Sequence, residues 1–362
     1  MNKTESKSNN NAEIPPEMHT LGATKIHPDQ LSGYNLTYVY ETDSGIRRMK
    51  RGRGFSFILP SGATIKDKKE RARLLGIAVP PTYENVWYCP INNGHLQATG
   101  YDSTSKKQYF YHSEWEKLRE LSKFASLKDF GDALPSFRSK IARNIKVESL
   151  DKTNVLMAMA RILDRTGMRV GSQTATTLNE TYGLTTLEKD HVDLDESHVA
   201  IHYKGKGGVD LNKEMCDAKV ANIIDNCVEI SGQRLFEYID DDDNHHPIDS
   251  GDLNAFLKDN LGQQFSAKDF RTWRFSCLFL KEALRLKNKQ DLDKVTLKAV
   301  LENVAEISGN TISILKSSYI HPDLLDIVRN DDWGLIDTNC ETIRGLRKSE
   351  TQFLNYLRTA QS

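Results

Sequence analysis

The sequence predicts an α+β protein, with a small β-rich N-terminal domain followed by a larger, mostly helical domain. Three observations predict it. Runs of β-branched and aromatic residues, bounded by Gly, Pro and Asp/Asn turns, occupy the chain from about Leu36 to His112. From Ser113 onward the apolar residues recur at spacings of three and four. A single β-like interruption, HVDLDESHVAIHYKGKGGVDL, breaks the helical half. The expected boundaries are a disordered polar tail over 1–30, the β-rich domain over 31–112, the helical domain over 113–345 and a C-terminal tail helix over 346–362.

Within the first half, NLTYVYET, GFSFILP and ENVWYCP read as strands. GHLQATGYDSTSKKQYFYH reads as a hairpin turning near Asp102 to Lys106. Its second arm, KKQYFYH, interleaves lysines with aromatics. Such an arm can stack on bases and pair with phosphates, or it can be ordinary cross-strand packing. In the second half, EWEKLRELSKFASL reads as a linker helix. Val155, Met159, Ile162 and Leu163 mark a helix running up to Gly167. Phe275, Leu278, Phe279 and Ala283 mark another, and Val300, Leu301, Val304 and Ala305 a third. In the β interruption, DES is one turn and GKGG the other, which puts Lys206 at a hairpin tip.

At 362 residues, 38% hydrophobic and 27% charged, the chain reads as soluble and globular, long enough for two domains. No stretch approaches a membrane span, and the polar N-terminus lacks the apolar core of a secretory signal. Five scattered cysteines without a CxxC pair fit reduced thiols in a cytoplasmic compartment and no zinc site. The net charge of −1 hides an asymmetry. Ser44 to Arg73 holds ten bases (Arg47, Arg48, Lys50, Arg51, Arg53, Lys66, Lys68, Lys69, Arg71, Arg73) against two acids. Residues 201–250 hold five bases against eleven acids. One face suits a polyanion and another is kept from it. DDDDNHHP reads as a solvated acidic loop, because consecutive residues rarely converge on one ion. GKGG lacks the GxxxxGK[ST] of a phosphate loop.

Four stretches of the helical half belong together. RTGMRVGS places Arg169 between a helix and Gly171. KGKGG carries Lys206. SAKDFRTWRFS opens a helix with Lys268 and Arg271. NTISILKSSYIHPDLLD places Tyr319 nine residues after Asn310, with Ile312, Leu315 and Tyr319 on one helical face. Each alone has a structural or solvated reading; a core tyrosine gives the same pattern. In this order they resemble the signature of type IB DNA topoisomerases in the short poxvirus and bacterial form: Arg, a hairpin Lys, Lys-x-x-Arg, His or Asn, then Tyr nine residues on. RGRGFSFILPSGATI, IAVPPTYENVW, CPINNGHLQATGYDSTSKKQYFYH and NETYGLTTLEKDHV also look like recurring stretches of that family, so the resemblance covers roughly residues 35–330. Asn310 stands where the poxvirus form has His, as in the bacterial form. An amide does not titrate near neutral pH, so this position is expected to donate a hydrogen bond.

The resemblance implies a catalytic domain of the topoisomerase IB/tyrosine recombinase type that clamps duplex DNA together with the β-rich domain. It implies relaxation of supercoils through a 3′-phosphotyrosyl intermediate, without cofactor, ATP or metal. Tyr319 is then the nucleophile, Arg169 and Arg271 clamp the non-bridging oxygens, and Asn310 adds a third hydrogen bond. Lys206 is the general acid for the departing 5′ oxygen. Lys268, Gln108, Tyr109, Tyr111, Arg51 and Arg53 are expected to touch DNA. A monomer in the cytoplasm, associated with the nucleoid, completes the expectation. A tyrosine recombinase shares most of this set but usually has His-x-x-Arg and lacks such a β domain. A non-catalytic DNA-binding protein explains the basic run and leaves the five-part set as coincidence.

Overall fold

The computed structural model describes residues 35–52, 54–288 and 295–360, with backbone only for 120–123. The expected 1–30 tail and Arg53 lie outside these residues. The N-terminal half is a five-stranded antiparallel sheet of β1 (Ile46–Arg51), β2 (Gly54–Ile58), β3 (Glu84–Tyr88), β4 (Leu96–Tyr101) and β5 (Lys107–Tyr111), in the order β2-β1-β3-β4-β5. One face buries Ile46, Phe57, Val86, Tyr88 and Ala98 together with Leu74 of helix α1 (Lys68–Gly76). The other meets helix α2 (Ser113–Ala125) through aromatics: His95 stacks on Tyr38 at 4.1 Å and meets Trp115 edge-on at 4.6 Å.

One strand expectation needs correction, and one strand was not expected. NLTYVYET forms only a single bridge, Thr37 to Gly94. Its backbone donors turn elsewhere: Val39 N donates to His95 Nδ1, and Tyr40 N to the Asp43 carboxylate three residues on. The basic run IRRMKR, by contrast, is strand β1. Five residue pairs with β2 and two with β3 hold it, although Ile46 is its one buried side chain. Backbone pairing overrides the poor strand propensity of consecutive charges.

The larger half is helical. Its core joins α3 (Leu127–Asn144), α4 (Lys152–Thr166), α7 (Ser250–Leu261), α8 (Ala267–Lys287), α9 (Leu297–Ser308) and α11 (Pro322–Asn330). Helix α4 ends on Gly167, whose left-handed φ of 65° closes the helix. Short α5 (Gln173–Asn179) and then a three-stranded antiparallel meander follow, of β6 (Val192–Asp195), β7 (His198–Gly205) and β8 (Val209–Cys216). Helix α6 (Ala218–Glu229) packs beneath the meander. DDDDNHHP lies on a tight hairpin of β9 (Glu237–Ile239) and β10 (His245–Pro247). Asp240 closes its turn, accepting from Asp242 N, Asn244 N and the His246 ring, and these bonds hold its carboxyl at about 2. The acidic stretch is thus a self-satisfied turn.

The C-terminal helix α12 (Lys348–Ala360) buries Phe353, Leu354 and Leu357 in the main core. It is tied there by ions as well. Arg138 of α3 pairs with Asp164 of α4 at 2.7 Å and with Glu350 of α12 at 2.8 Å. Burial works against the Glu350 carboxylate, but Arg138 and Arg347 hold its pKa at about 2.

Candidate active site

The segment carrying Tyr319 departs from a plain helix. Helix α9 ends at Gly309, whose φ of 67° admits a glycine readily. Thr311 then caps a single turn, α10 (Ile312–Ile314), by accepting from Ile314 N. Leu315 to Tyr319 are wound more widely, with Ile320 N donating to Leu315 O in the i→i+5 pattern of a π turn. Leu315 anchors the turn in the core and Tyr319 is 8% exposed. Ser276 of α8 braces it from below: its hydroxyl donates to Tyr319 O at 3.0 Å and accepts from His321 N at 3.0 Å. The edge of Phe275 lies against the Tyr319 ring, 5.3 Å between centroids.

Arg271 is the centre of the constellation. It sits one turn into α8, 7% exposed, and its Nε donates to the Tyr319 phenol oxygen at 3.2 Å. One of its terminal nitrogens donates to Gly167 O, and the other reaches Asn310 Oδ1 at 3.5 Å. Arg169 donates to the same Asn310 oxygen at 3.3 Å. It also hydrogen-bonds the phenol. Its loop is held by Leu184 N donating to Arg169 O at 2.8 Å. A guanidinium has no acceptor, so the oxygen of the Asn310 amide must be the atom facing both arginines. Asn310 Nδ2 donates to Ser308 O at 3.3 Å, which leaves its second N–H for a ligand.

Burial raises the pKa of the Tyr319 phenol, yet the charges of Arg271 and Arg169 outweigh it, and the net shift is downward. Tyr203 of β7 makes the comparison. It faces the same two guanidiniums, but burial dominates there and pushes it up to about 12. Two tyrosines share one cationic neighbourhood, and of the two only Tyr319 is shifted downward.

Arg169, Arg271, Asn310 and Tyr319 therefore converge as the sequence leads one to expect. Lys206 does not join them. It stands exposed at the β7–β8 tip, where Gly207 and Gly208 take φ of 86° and 75°. Lys268 stands at the solvent rim of the cluster. Crowding by protein and the Arg119 guanidinium of α2 lower its pKa, while Asp269 and Tyr319 pull it upward. Gly167 O and the Ser276 brace were not legible as site groups, because a carbonyl and a buried serine leave no mark in a sequence.

The expected DNA-contact residues of the β-rich domain divide. Arg48 turns inward, donating to Val79 O, Pro80 O and Tyr83 O and lying over the Phe55 ring at 4.3 Å. Arg71 donates to Phe55 O, and Arg73 pairs with Glu70 at 2.6 Å. Arg47, Lys50 and Arg51 remain exposed. Gln108 donates to Asp102 in the hairpin turn, and Tyr109 and Tyr111 stack at 6.3 Å, half-buried. Two opposite outcomes follow. Arg48→Ala is expected to lower thermal stability by about 1–3 kcal/mol, because the partly buried Val79 O and Tyr83 O lose their guanidinium donor and Pro80 O keeps only Tyr83 N. Arg47→Gln with Arg51→Gln is expected to leave stability alone and flatten the salt dependence of duplex binding, by about 0.9 in slope per lost phosphate contact. Thermal melts and DNA titrations at several salt concentrations check both; an unchanged salt slope would return β1 to plain solvated surface.

The family model of the eukaryotic DNA topoisomerase I catalytic core matches residues 112–328. The chain belongs to this family. The family model of the bacterial DNA topoisomerase IB N-terminal domain matches residues 54–102, within the five-stranded sheet. The type IB topoisomerase is 27% identical over 296 residues to DNA topoisomerase 1B of Acanthamoeba polyphaga mimivirus, covering 79% of this chain and 88% of the relative. It is 24% identical over 260 residues to DNA topoisomerase I of Monkeypox virus and to DNA topoisomerase 1B of vaccinia virus, covering 69% of this chain and 77% of either relative. Among its described residues no helix is long and apolar enough to cross a membrane.

Proposed function

We propose that this topoisomerase relaxes supercoiled duplex DNA by transient cleavage of one strand through Tyr319. The observation that carries the reading is the convergence of Arg271 and Arg169 on the buried Tyr319 phenol and on the Asn310 amide oxygen. The Tyr319 phenolate attacks the scissile phosphorus, the bond to the 5′ oxygen breaks, and that oxygen leaves with the electron pair and takes a proton. The 3′ end stays on the tyrosine as a phosphodiester. The freed 5′ hydroxyl reverses the step by attacking phosphorus and expelling the phenolate, so bond energy is conserved.

Arg169 and Arg271 hold the non-bridging oxygens as charge builds on them. Asn310 fixes the two guanidiniums through its oxygen and offers its spare N–H to the phosphate. Lys206 supplies the proton, carried in by the flexible Gly-flanked tip when DNA is bound. Lys268 steadies the phosphate from the rim. The sheet domain and the helical domain, of the tyrosine-recombinase type, close around the duplex as a clamp. The enzyme works as a monomer on DNA in the cytoplasm.

Incubation with negatively supercoiled plasmid, without ATP and with a chelator, tests the reading. Relaxed circles are expected; strand joining at one sequence would mean a recombinase, and a gel shift alone a binding protein. Arg169→Ala and Arg271→Ala are each expected to slow cleavage by about 3–4 kcal/mol in barrier, the scale of a lost oxyanion donor. DNA affinity should change far less, because other phosphate contacts remain. Loss of either guanidinium also removes a charge that lowers the phenol pKa, so the rising limb of the cleavage–pH profile should move to higher pH. Equal losses in affinity and rate, with an unmoved profile, would make the arginines docking groups only.

A further inference from the structure

Strand β8 has a lysine on its core face. Its side chains alternate, with Leu211, Lys213 and Met215 buried and Asp210, Asn212 and Glu214 exposed. Lys213, 9% exposed, donates through Nζ to Ser308 O at 3.0 Å and to Ile307 O at 3.3 Å. These are the last carbonyls of α9, which lack helical donors and carry the negative end of its dipole. Ser308 O also accepts from Asn310 Nδ2, and Asn310 N donates to Ser308 Oγ at 3.2 Å. Beside this knot, a side chain on Gly309 would collide with Leu211 of the same strand.

The ammonium sits at a cost. Burial pushes its pKa down to about 8, and Arg274, Arg271 and Arg169 add repulsion. An apolar side chain would hold β8 to the core more cheaply, so a charge retained here argues for positional specificity. One hydrogen-bonded path runs from β8 to the Ser308 carbonyl, to Asn310, to both arginines and to Tyr319.

We propose that Lys213 is a positioning residue for strand cleavage: its ammonium, pinned on the Ile307 and Ser308 carbonyls, locks the hairpin that carries Lys206 to the turn that presents Asn310. The inference rests on the reading that Asn310 acts at the scissile phosphate. Through this contact the acid-bearing hairpin and the oxygen that aligns the arginines share one register.

Lys213→Met keeps length and apolar bulk while removing the donors. In single-turnover cleavage of a duplex oligonucleotide at saturating protein, it is expected to be slower on the order of 10- to 100-fold, the size seen when an orienting partner behind a ligand is lost. DNA affinity should stay within about threefold, since phosphate contacts elsewhere are untouched. Combined with Asn310→Ala, the loss should be less than multiplicative, because both changes break one path. Lys213→Gln retains an N–H donor and should cleave faster than Lys213→Met; if the Met variant does not fold, Lys213→Gln carries the same cycle. Wild-type cleavage by folded Lys213→Met, or losses that multiply with Asn310→Ala, overturns the proposal while a slow Asn310→Ala leaves the reading of Asn310 standing. Wild-type cleavage by Asn310→Ala removes both.

Discussion

Tyr319→Phe protein is expected to fold, to bind duplex DNA and to relax none of it. The substitution deletes one oxygen. The ring keeps its edge contact with Phe275, and the backbone keeps the Ser276 brace. Arg271 loses one acceptor at 3.2 Å but retains Gly167 O and Asn310 Oδ1, so the stability change should be small, about 0.5–1.5 kcal/mol. Binding depends on many phosphate contacts and should persist. Chemistry has no substitute: Tyr203 faces the same arginines but is pushed up to about 12 by burial. Denaturing the wild-type reaction mid-course should trap protein on the 3′ end of the broken strand, with the adduct mapping to Tyr319. Normal relaxation by the Phe variant, or an adduct on another residue, defeats the assignment.

How far this site could be read in advance depends on what each residue does. Arg169, Arg271, Asn310 and Tyr319 are legible because an ordered set of chemically distinctive residues is rare. Their convergence is not in the sequence. It depends on Gly167 ending α4 beside α8, and on a π turn that an expectation of regular helix spacing overlooks. Long amphipathic helices such as α4, α8 and α9 announce themselves by period, since one face must meet the core. Strand β1 does not: five of its six residues escape burial, so pairing alone specifies it. The opposite error occurs at Tyr38 and Tyr40, whose strand-like composition serves an aromatic cluster around His95 and Trp115. Lys213 left a signal of the fold, a charge at the apolar parity of Leu211 and Met215. Its partners, two helix-end carbonyls, are invisible until α9 is placed.

Lys206→Ala is expected to nearly abolish cleavage of ordinary DNA and to recover most of its rate on DNA whose scissile 5′ bridging oxygen is replaced by sulfur. The value of a general acid scales with how badly the leaving group needs a proton. An alkoxide is strongly basic and needs one; a thiolate, with a pKa several units lower, does not. The geometry makes the test pointed. Lys206 stands in solvent at a tip whose two following glycines adopt positive φ, and takes no part in the hydrogen bonds at Tyr319. If it is the acid, the hairpin must bring it to the leaving oxygen once DNA is bound, and its loss should be felt only in the protonation of that atom. Asn310→Ala should gain nothing from sulfur if Asn310, which bonds both guanidiniums, acts with them on the non-bridging oxygens as proposed. Arg169→Ala should be rescued only to the extent that Arg169 helps deliver the proton. Should the Lys206 variant remain as slow on the sulfur substrate as on the natural one, Lys206 is a phosphate clamp. The acid then lies elsewhere, and Lys268 is the next candidate: it stands at the rim of the cluster with its pKa already lowered by crowding and Arg119.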